Sequence, residues 1–320
     1  MSRLSAHAAA IPVSRAGATD WRDLLALAKP GIVKMVTITA AVGFMLSALI
    51  HRPGGVGATA LAGVACLIGA ALSAAGANAL NQALEARRDA LMPRTVDRPI
   101  PAGRVSVSRA FGFGALLCVL GVSMLAIING PAPAFVSLFT IATYLLWYTP
   151  LKPVTPLSTI VGALPGALPP LIGWTAAAGG AFGALGEMGG WSVVLIIFVW
   201  QIPHFLAIAW KYREDYAAGG YAVLPAFDPT GARTSWAMLV WSAALVVASI
   251  APPMWLGGLV GPASLVVLLL AGSAFLWTVC RFAASRSNAD ARLVFVASIL
   301  YLPLALLTLV VDAAVRSAIA

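Results

Sequence analysis

Apolar residues in this chain run for lengths that a water-facing fold does not tolerate. Segments such as 193–200 and 265–270 are apolar without polar alternation, so neither an amphipathic-helix period nor a half-buried-strand period is present there. Only 10% of the 320 residues are charged, while 61% are hydrophobic. A soluble domain carries about 25% charged residues, because its surface must face water. Too few charges remain here to cover such a surface, which leaves the lipid bilayer as the solvent.

A membrane span needs about 20 apolar residues. The chain offers nine, at approximately 32–50, 56–78, 110–128, 132–147, 157–177, 191–210, 234–250, 261–280 and 293–311. The fifth contains Pro165, Pro169 and Pro170. Neighbouring helices can satisfy the carbonyls that proline frees, so a kink is expected there rather than a break. The fold class is therefore all-α, a polytopic bundle of about nine transmembrane helices.

Loop charge orients the bundle. Arg3, Arg15, Arg22 and Lys29 precede the first span, and Arg87, Arg88, Arg94, Arg98, Arg104 and Arg109 surround the connection between the second and third. Lys152, then Lys211, Arg213 and Arg233, then Arg281, Arg286 and Arg292 follow in connections on the same side of a nine-span path. The other side keeps only Arg52 and Arg316. The positive-inside rule makes the charged side, and the N-terminus with it, cytoplasmic. Trp147, Trp174, Trp191 and Trp210 fall near span ends, as interfacial aromatics should. Residues 1–28 lack the apolar core of a secretory signal and are expected as a disordered cytoplasmic tail before a single membrane domain at 29–320. The formal charge of +9 is confined to these connections, so it reads as topology and anion binding and not as a nucleic-acid surface. Cys66, Cys118 and Cys280 lie singly within apolar spans and make neither a disulfide framework nor a heme-attachment motif; they read as buried small hydrophobes.

The connection after the second span is neither short nor bland. Asn81, Glu85 and Asp89 are spaced by four, which on a helix sets them on one stripe, successive Cβ atoms about 6 Å apart. Such an oxygen-rich stripe suits Mg²⁺, which takes one or two carboxylates together with water and substrate phosphates. The neighbouring arginines suit the same phosphates. The plain alternative is a solvated face on which Glu85 and Asp89 balance Arg87, Arg88 and Arg94. Against it stand the scarcity of acids elsewhere and a second cluster on the same side: Lys211, Glu214 and Asp215, with Lys211 and Asp215 again four apart. Two acidic helix ends facing one cavity would clamp a magnesium diphosphate. The matching chemistry is ionisation of an allylic diphosphate, in which metal and arginine stabilise charge growing on the leaving group away from water.

The run Asn81-x3-Glu85-x3-Asp89 resembles the first acidic motif of the UbiA superfamily of intramembrane prenyltransferases. Its extension Met92-Pro93-Arg94-Thr95-x-x-Arg98-Pro99-x-Pro101-x-Gly103-Arg104 resembles the protoheme IX farnesyltransferase (heme O synthase) branch. So do Tyr148-Thr149-Pro150-Leu151-Lys152, Gly166-x-x-Pro169-Pro170, Pro203-His204-Phe205 and Lys211-x-x-Glu214-Asp215-Tyr216. The resemblance covers the chain from about Lys29 onward. It implies a nine-span UbiA-type bundle in a bacterial inner membrane, with a central cavity open to the cytoplasmic side and to the lipid bilayer. It further implies Mg²⁺ as cofactor, farnesyl diphosphate and protoheme as substrates, and heme O and diphosphate as products. A downstream heme-modifying enzyme or a terminal oxidase is the implied partner class.

On this reading Asn81, Glu85, Asp89 and Asp215 hold the metal, and Lys211 joins them in the catalytic set. Arg94, Arg98, Lys152 and Lys211 are expected to meet diphosphate or a heme propionate, and Glu214 to complete the magnesium diphosphate site beside Asp215. Tyr148 and Tyr216 offer rings to a carbocation, with interfacial anchoring as the alternative. His204 is expected either as a satisfied core histidine or as a group in contact with heme. Lys211 stands where quinone-type relatives carry an acid, and Glu85 where many superfamily members carry aspartate. Two other functions remain open at this level: a quinone-type prenyltransferase, which would prenylate an aromatic ring, and a transporter, which would place charge at the bilayer midplane and show an internal repeat.

Overall fold

A computed structural model describes residues 20–51 and 54–319. Among them there is helix but no strand, and nine helices are long and apolar enough to cross a membrane. We label the short helix Trp21–Ala28 α1 and the spans α2 (Pro30–His51), α3 (Val56–Asp89), α4 (Val107–Asn129), α5 (Pro131–Leu151), α6 (Ser158–Ala177) and α7 (Met188–Lys211). A short helix α8 (Arg213–Ala218) precedes the last three spans, α9 (Ala232–Trp255), α10 (Pro262–Ser285) and α11 (Asn288–Ile319). This is the all-α, nine-span architecture expected of the sequence, and the protein is a multi-pass membrane protein. Large apolar side chains such as Leu116, Val119, Ile127, Leu270 and Leu300 stay exposed on the outside of the bundle, which a membrane permits and water penalises.

The prolines of α6 interrupt it without ending the span. Pro169 starts a new helical segment after Ala167, and the single intervening residue, Leu168, keeps near-helical angles of φ −74 and ψ −23. The half after Leu168 is among the most enclosed parts of the bundle: Leu171, Ile172 and Trp174 are buried against α2 and α7. Gly43 and Gly173 allow that contact, since a Cβ at either would lie 1.9 Å from a backbone oxygen of the partner helix.

Three expectations need correction. Residues 21–28, assigned to the disordered tail, form α1, because Leu27 is fully buried against Ala79, Ala83 and Ile100; the tail before residue 20 lies outside the described residues, as does Arg52. Trp174 and Trp210 do not face lipid as an aromatic belt would: both are buried, and the Trp174 indole donates to Glu187 Oε2 at 2.7 Å. Cys280 is exposed on α10, whereas Cys66 is buried as expected.

α3 is 34 residues long. It continues well past the span read from hydropathy, and its last turns carry Asn81, Glu85 and Asp89. Two segments of α4 and α5, Leu125–Asn129 and Thr143–Tyr148, are π-helical. Such segments insert an extra residue per turn and often mark functional sites; the second one carries Tyr144 and Tyr148.

Candidate active site

The bundle encloses a cavity of about 480 Å³. Its wall follows α3 from Ala70 to Asp89, about 28 Å along a helix. Small residues make the room: Ala70, Ser73, Ala74 and Ala77 on α3, and Gly162 and Gly166 on α6. Gly166 is required by the close approach of Gln201, whose Oε1 lies 2.1 Å from where a Cβ would stand. Ile141, Ile172, Ile197, Trp200 and Leu302 make most of the remaining wall apolar.

One end of this apolar cavity is charged. Asn81, Glu85 and Asp89 lie on its wall and are 1%, 5% and 1% exposed. Each presents an oxygen to a cation from a different segment. Lys29 Nζ donates to Asn81 Oδ1 at 3.1 Å, Lys152 Nζ to Glu85 Oε1 at 2.7 Å, and an Arg98 guanidinium N–H to Asp89 Oδ2 at 2.6 Å. Arg94 completes the basic lining, so four basic side chains stand against two carboxylates. Burial of charge is costly unless it is paired, and here pairing leaves a positive surplus at one end of an apolar chamber.

Local structure fixes each cation. α1 ends at Lys29, which adopts left-handed angles of φ 52 and ψ 71 before Pro30 opens α2. The last carbonyls of α1 have no partner within their own helix. Gln82 Nε2 donates to Ala26 O and Leu27 O, and Asn78 Nδ2 to Ala28 O, so α3 holds the turn that aims Lys29. Burial, followed by the Arg98 and Lys152 charges, draws the Lys29 pKa from 10.5 down to about 7. Asn81 is oriented by donating from Nδ2 to Thr149 Oγ1, which itself donates to Tyr144 O. The loop after α3 folds back over it: Thr95 Oγ1 donates to Asp89 O at 2.7 Å, and Ile100 is fully buried. Lys152 is pinned by its own carbonyl, which accepts from Ala222 N at 2.7 Å, and its ammonium lies over the Tyr148 and Tyr221 rings.

Of the residues expected in the site, Asn81, Glu85, Asp89, Arg94, Arg98, Tyr148, Lys152, His204 and Tyr216 line this one cavity. Lys211, Glu214 and Asp215 do not. Lys211 and Asp215, four apart in sequence, do not share one helix, because α7 ends at Lys211 and Tyr212, at φ −110 and ψ 25, interrupts it before α8 begins. The interruption turns Tyr212 and Tyr216 toward Arg94, whose guanidinium lies 4.9 and 5.0 Å from their ring centroids. Lys211 and Glu214 are exposed, and Asp215 is half-buried outside the cavity wall. From the second cluster it is thus Tyr216, and not a carboxylate, that reaches the cavity wall. Lys29, Tyr144 and Tyr221 were not expected in the site. Lys29 had been counted among the topology charges, and a Lys-Pro step between two helices was the signal available for it.

Mg²⁺ fits the donors present. Two carboxylates and an amide oxygen on successive turns, beside a shell of cations for phosphate, match its preference for few protein ligands completed by water and phosphate. No group of three His, Cys, Asp or Glu side chains able to hold a metal occurs among the described residues, so an ion bound here would need oxygens from elsewhere, as a diphosphate supplies.

Comparison with known proteins places these features in a family context. The model of the UbiA prenyltransferase family matches residues 36–301. A protoheme IX farnesyltransferase of Opitutus terrae is 40% identical over 294 residues, covering 91% of this chain and 95% of that protein. Among solved structures, a digeranylgeranylglyceryl phosphate synthase aligns with a TM-score of 0.73 at 16% identity, over 91% of this chain and 98% of that one. A UbiA homolog from Archaeoglobus fulgidus, bound to DMAPP and Mg²⁺, aligns with a TM-score of 0.61 at 16% identity, over 92% and 99%.

Proposed function

The chain belongs to the UbiA prenyltransferase family, and from that premise we propose that it transfers the farnesyl group of farnesyl diphosphate to a vinyl group of protoheme, yielding heme O. The observation that carries this reading is the positive surplus around Asn81, Glu85 and Asp89 at one end of a long apolar chamber. A ligand that fits has a polyanionic head and a hydrocarbon tail. The acceptor is taken from the 40% identical protoheme IX farnesyltransferase, and the metal from the Archaeoglobus fulgidus homolog that binds DMAPP with Mg²⁺.

Glu85, Asp89 and Asn81 Oδ1 would hold the metal, whose chemistry when bound is to neutralise charge on the diphosphate as the carbon–oxygen bond breaks. On ligand arrival Lys29, Lys152 and Arg98 exchange their protein oxygens for diphosphate oxygens, and Arg94 meets the same anion. The cations already stand beside the site, so little reorganisation accompanies charge development. Tyr148, stacked on Tyr144 with ring centroids 5.6 Å apart, gives an aromatic face to the allylic cation. The apolar wall from Ala70 to Ala77 holds the isoprenoid tail away from water. Attack by the vinyl carbon forms the new carbon–carbon bond, water adds at the neighbouring carbon with loss of a proton, and diphosphate leaves. Lys211, Glu214 and Asp215 receive no ligand role.

The loop charges support a cytoplasmic site in a bacterial inner membrane, and heme O supports a role upstream of a heme-modifying enzyme or terminal oxidase. The test is incubation of purified protein with protoheme, farnesyl diphosphate and Mg²⁺, followed by mass analysis of the pigment. The reading predicts a farnesylated, hydrated product that Asp89→Ala abolishes while the variant still inserts. Farnesylation of hydroxybenzoate in place of protoheme would transfer the assignment to the quinone-type branch.

A further inference from the structure

The ring of His204 is held more tightly than a wall residue needs. It lies between Trp200, with centroids 4.9 Å apart and 22° between planes, and Phe295, at 5.3 Å and 27°. Trp200 is itself anchored from α7 to α11 by donating its indole N–H to Ser298 O at 2.9 Å. Both faces of the imidazole are thus covered, and only its edges carry polar contacts.

Those contacts hold the Nδ1 edge of the ring. Ser298 Oγ donates its one proton to Phe295 O at 2.6 Å. Ser298 Oγ and His204 Nδ1 lie 2.7 Å apart, and with its proton committed the hydroxyl accepts. With the hydroxyl donating to Phe295 O, Nδ1 carries the hydrogen and Nε2 the lone pair. Nε2 makes no hydrogen bond among the described residues, and His204 is only partly buried, lining the cavity beside Gln201, Phe205 and Leu302. It is the one histidine on the cavity wall among the described residues; His51 pairs with Glu187 elsewhere.

An imidazole whose far nitrogen is held by a hydroxyl and whose ring lines a cavity has the arrangement of a metal-ligating histidine. Mg²⁺ is a poor match, because it prefers oxygen. Iron suits imidazole, and histidine is the common protein ligand of heme iron. Resting on the protoheme acceptor proposed above, the geometry points to His204 Nε2 as the axial ligand of the substrate's iron, with Ser298 as the positioning residue that holds its Nδ1 edge. The bond is a simple donation of the Nε2 lone pair to iron, with no change of oxidation state. It holds the macrocycle by its centre, leaving the vinyl edge to be presented to the allylic carbon.

The test uses the full chain in detergent with protoheme and no farnesyl diphosphate, so that no turnover occurs. Resonance Raman of the ferrous complex should show an iron–imidazole stretch in the wild type. His204→Ala should lack it, and added imidazole should restore it. Ser298→Ala should keep the ligand but shift the stretch, with heme affinity falling roughly tenfold. Persistence of the stretch in His204→Ala, or wild-type heme binding without it, overturns the proposal and leaves the farnesyltransferase reading intact. Failure of the wild type to bind protoheme removes the acceptor assignment and this proposal with it. Should His204→Ala not fold, Ser298→Ala decides: an unshifted stretch counts against the proposal.

Discussion

Lys152→Met separates the structural and catalytic roles of the charged end. Lys152 Nζ and Glu85 Oε1 lie 2.7 Å apart, with side chains 15% and 5% exposed. Removing one partner of a buried pair strands the other charge and costs about 3–5 kcal/mol. Water entering the cavity lessens this, so we work with about 3 kcal/mol, roughly a hundredfold in the folding equilibrium. Replacing both partners by neutral groups of similar shape is often close to neutral for stability. Glu85→Gln with Lys152→Met should therefore recover most of what Lys152→Met loses, while turnover stays abolished because both a metal ligand and a phosphate contact are gone. The assay is unfolding in mixed micelles followed by tryptophan fluorescence for the wild type, both single variants and the double variant, beside the pigment assay. A coupling below about 0.5 kcal/mol, the level of independent sites, would refute the pairing, and recovery of turnover in the double variant would refute the catalytic role.

Three further outcomes are expected. Arg94→Ala frees Tyr212 and Tyr216 from their shared cation, so hydrogen exchange should rise across residues 212–223 and KM for farnesyl diphosphate should increase. Gly162→Ala places a Cβ 2.5 Å from the Tyr148 ring; overpacking of this kind costs about 1–3 kcal/mol and should lower kcat by displacing the ring, and unchanged kcat would show that the ring does not contact the cation. Asp228 accepts from Thr234 N at 2.8 Å at the start of α9. Partial burial opposes its charge, but the hydrogen bonds from Thr234 and Thr230 prevail and hold its pKa below the usual carboxylate value. Its stabilisation is therefore complete above about pH 4, the unfolded value, and is lost as pH falls through the lower folded pKa. Asp228→Asn should flatten that acid limb of the unfolding midpoint.

The bundle was legible because each span repeats one physical requirement, about 20 apolar residues, and because Asn81, Glu85 and Asp89 share a helical period that burial did not disturb. Lys211 and Asp215 show where periodicity stops being informative. Their spacing is also four, but the helix ends between them at Tyr212, and the contacts that accompany the break are tertiary: Tyr212 and Tyr216 meet Arg94 from another loop. Lys29 was misread for a related reason. Its role depends on carbonyls of α1 being held by Asn78 and Gln82, about 50 residues away in sequence. His204 was left between two readings because its partner, Ser298, is 94 residues distant. Contacts of that range leave no local trace.

The central claim is that Asn81, Glu85 and Asp89 together bind a magnesium diphosphate. Crystals of the full chain grown with Mn²⁺ and a non-reactive farnesyl thiodiphosphate test it through anomalous scattering. A peak about 2.1 Å from oxygens of these residues, the distance Mg²⁺ demands, with Lys29, Lys152 and Arg98 moved onto the phosphates, is the predicted map. A peak elsewhere, with the Lys29–Asn81, Lys152–Glu85 and Arg98–Asp89 contacts intact, would contradict it.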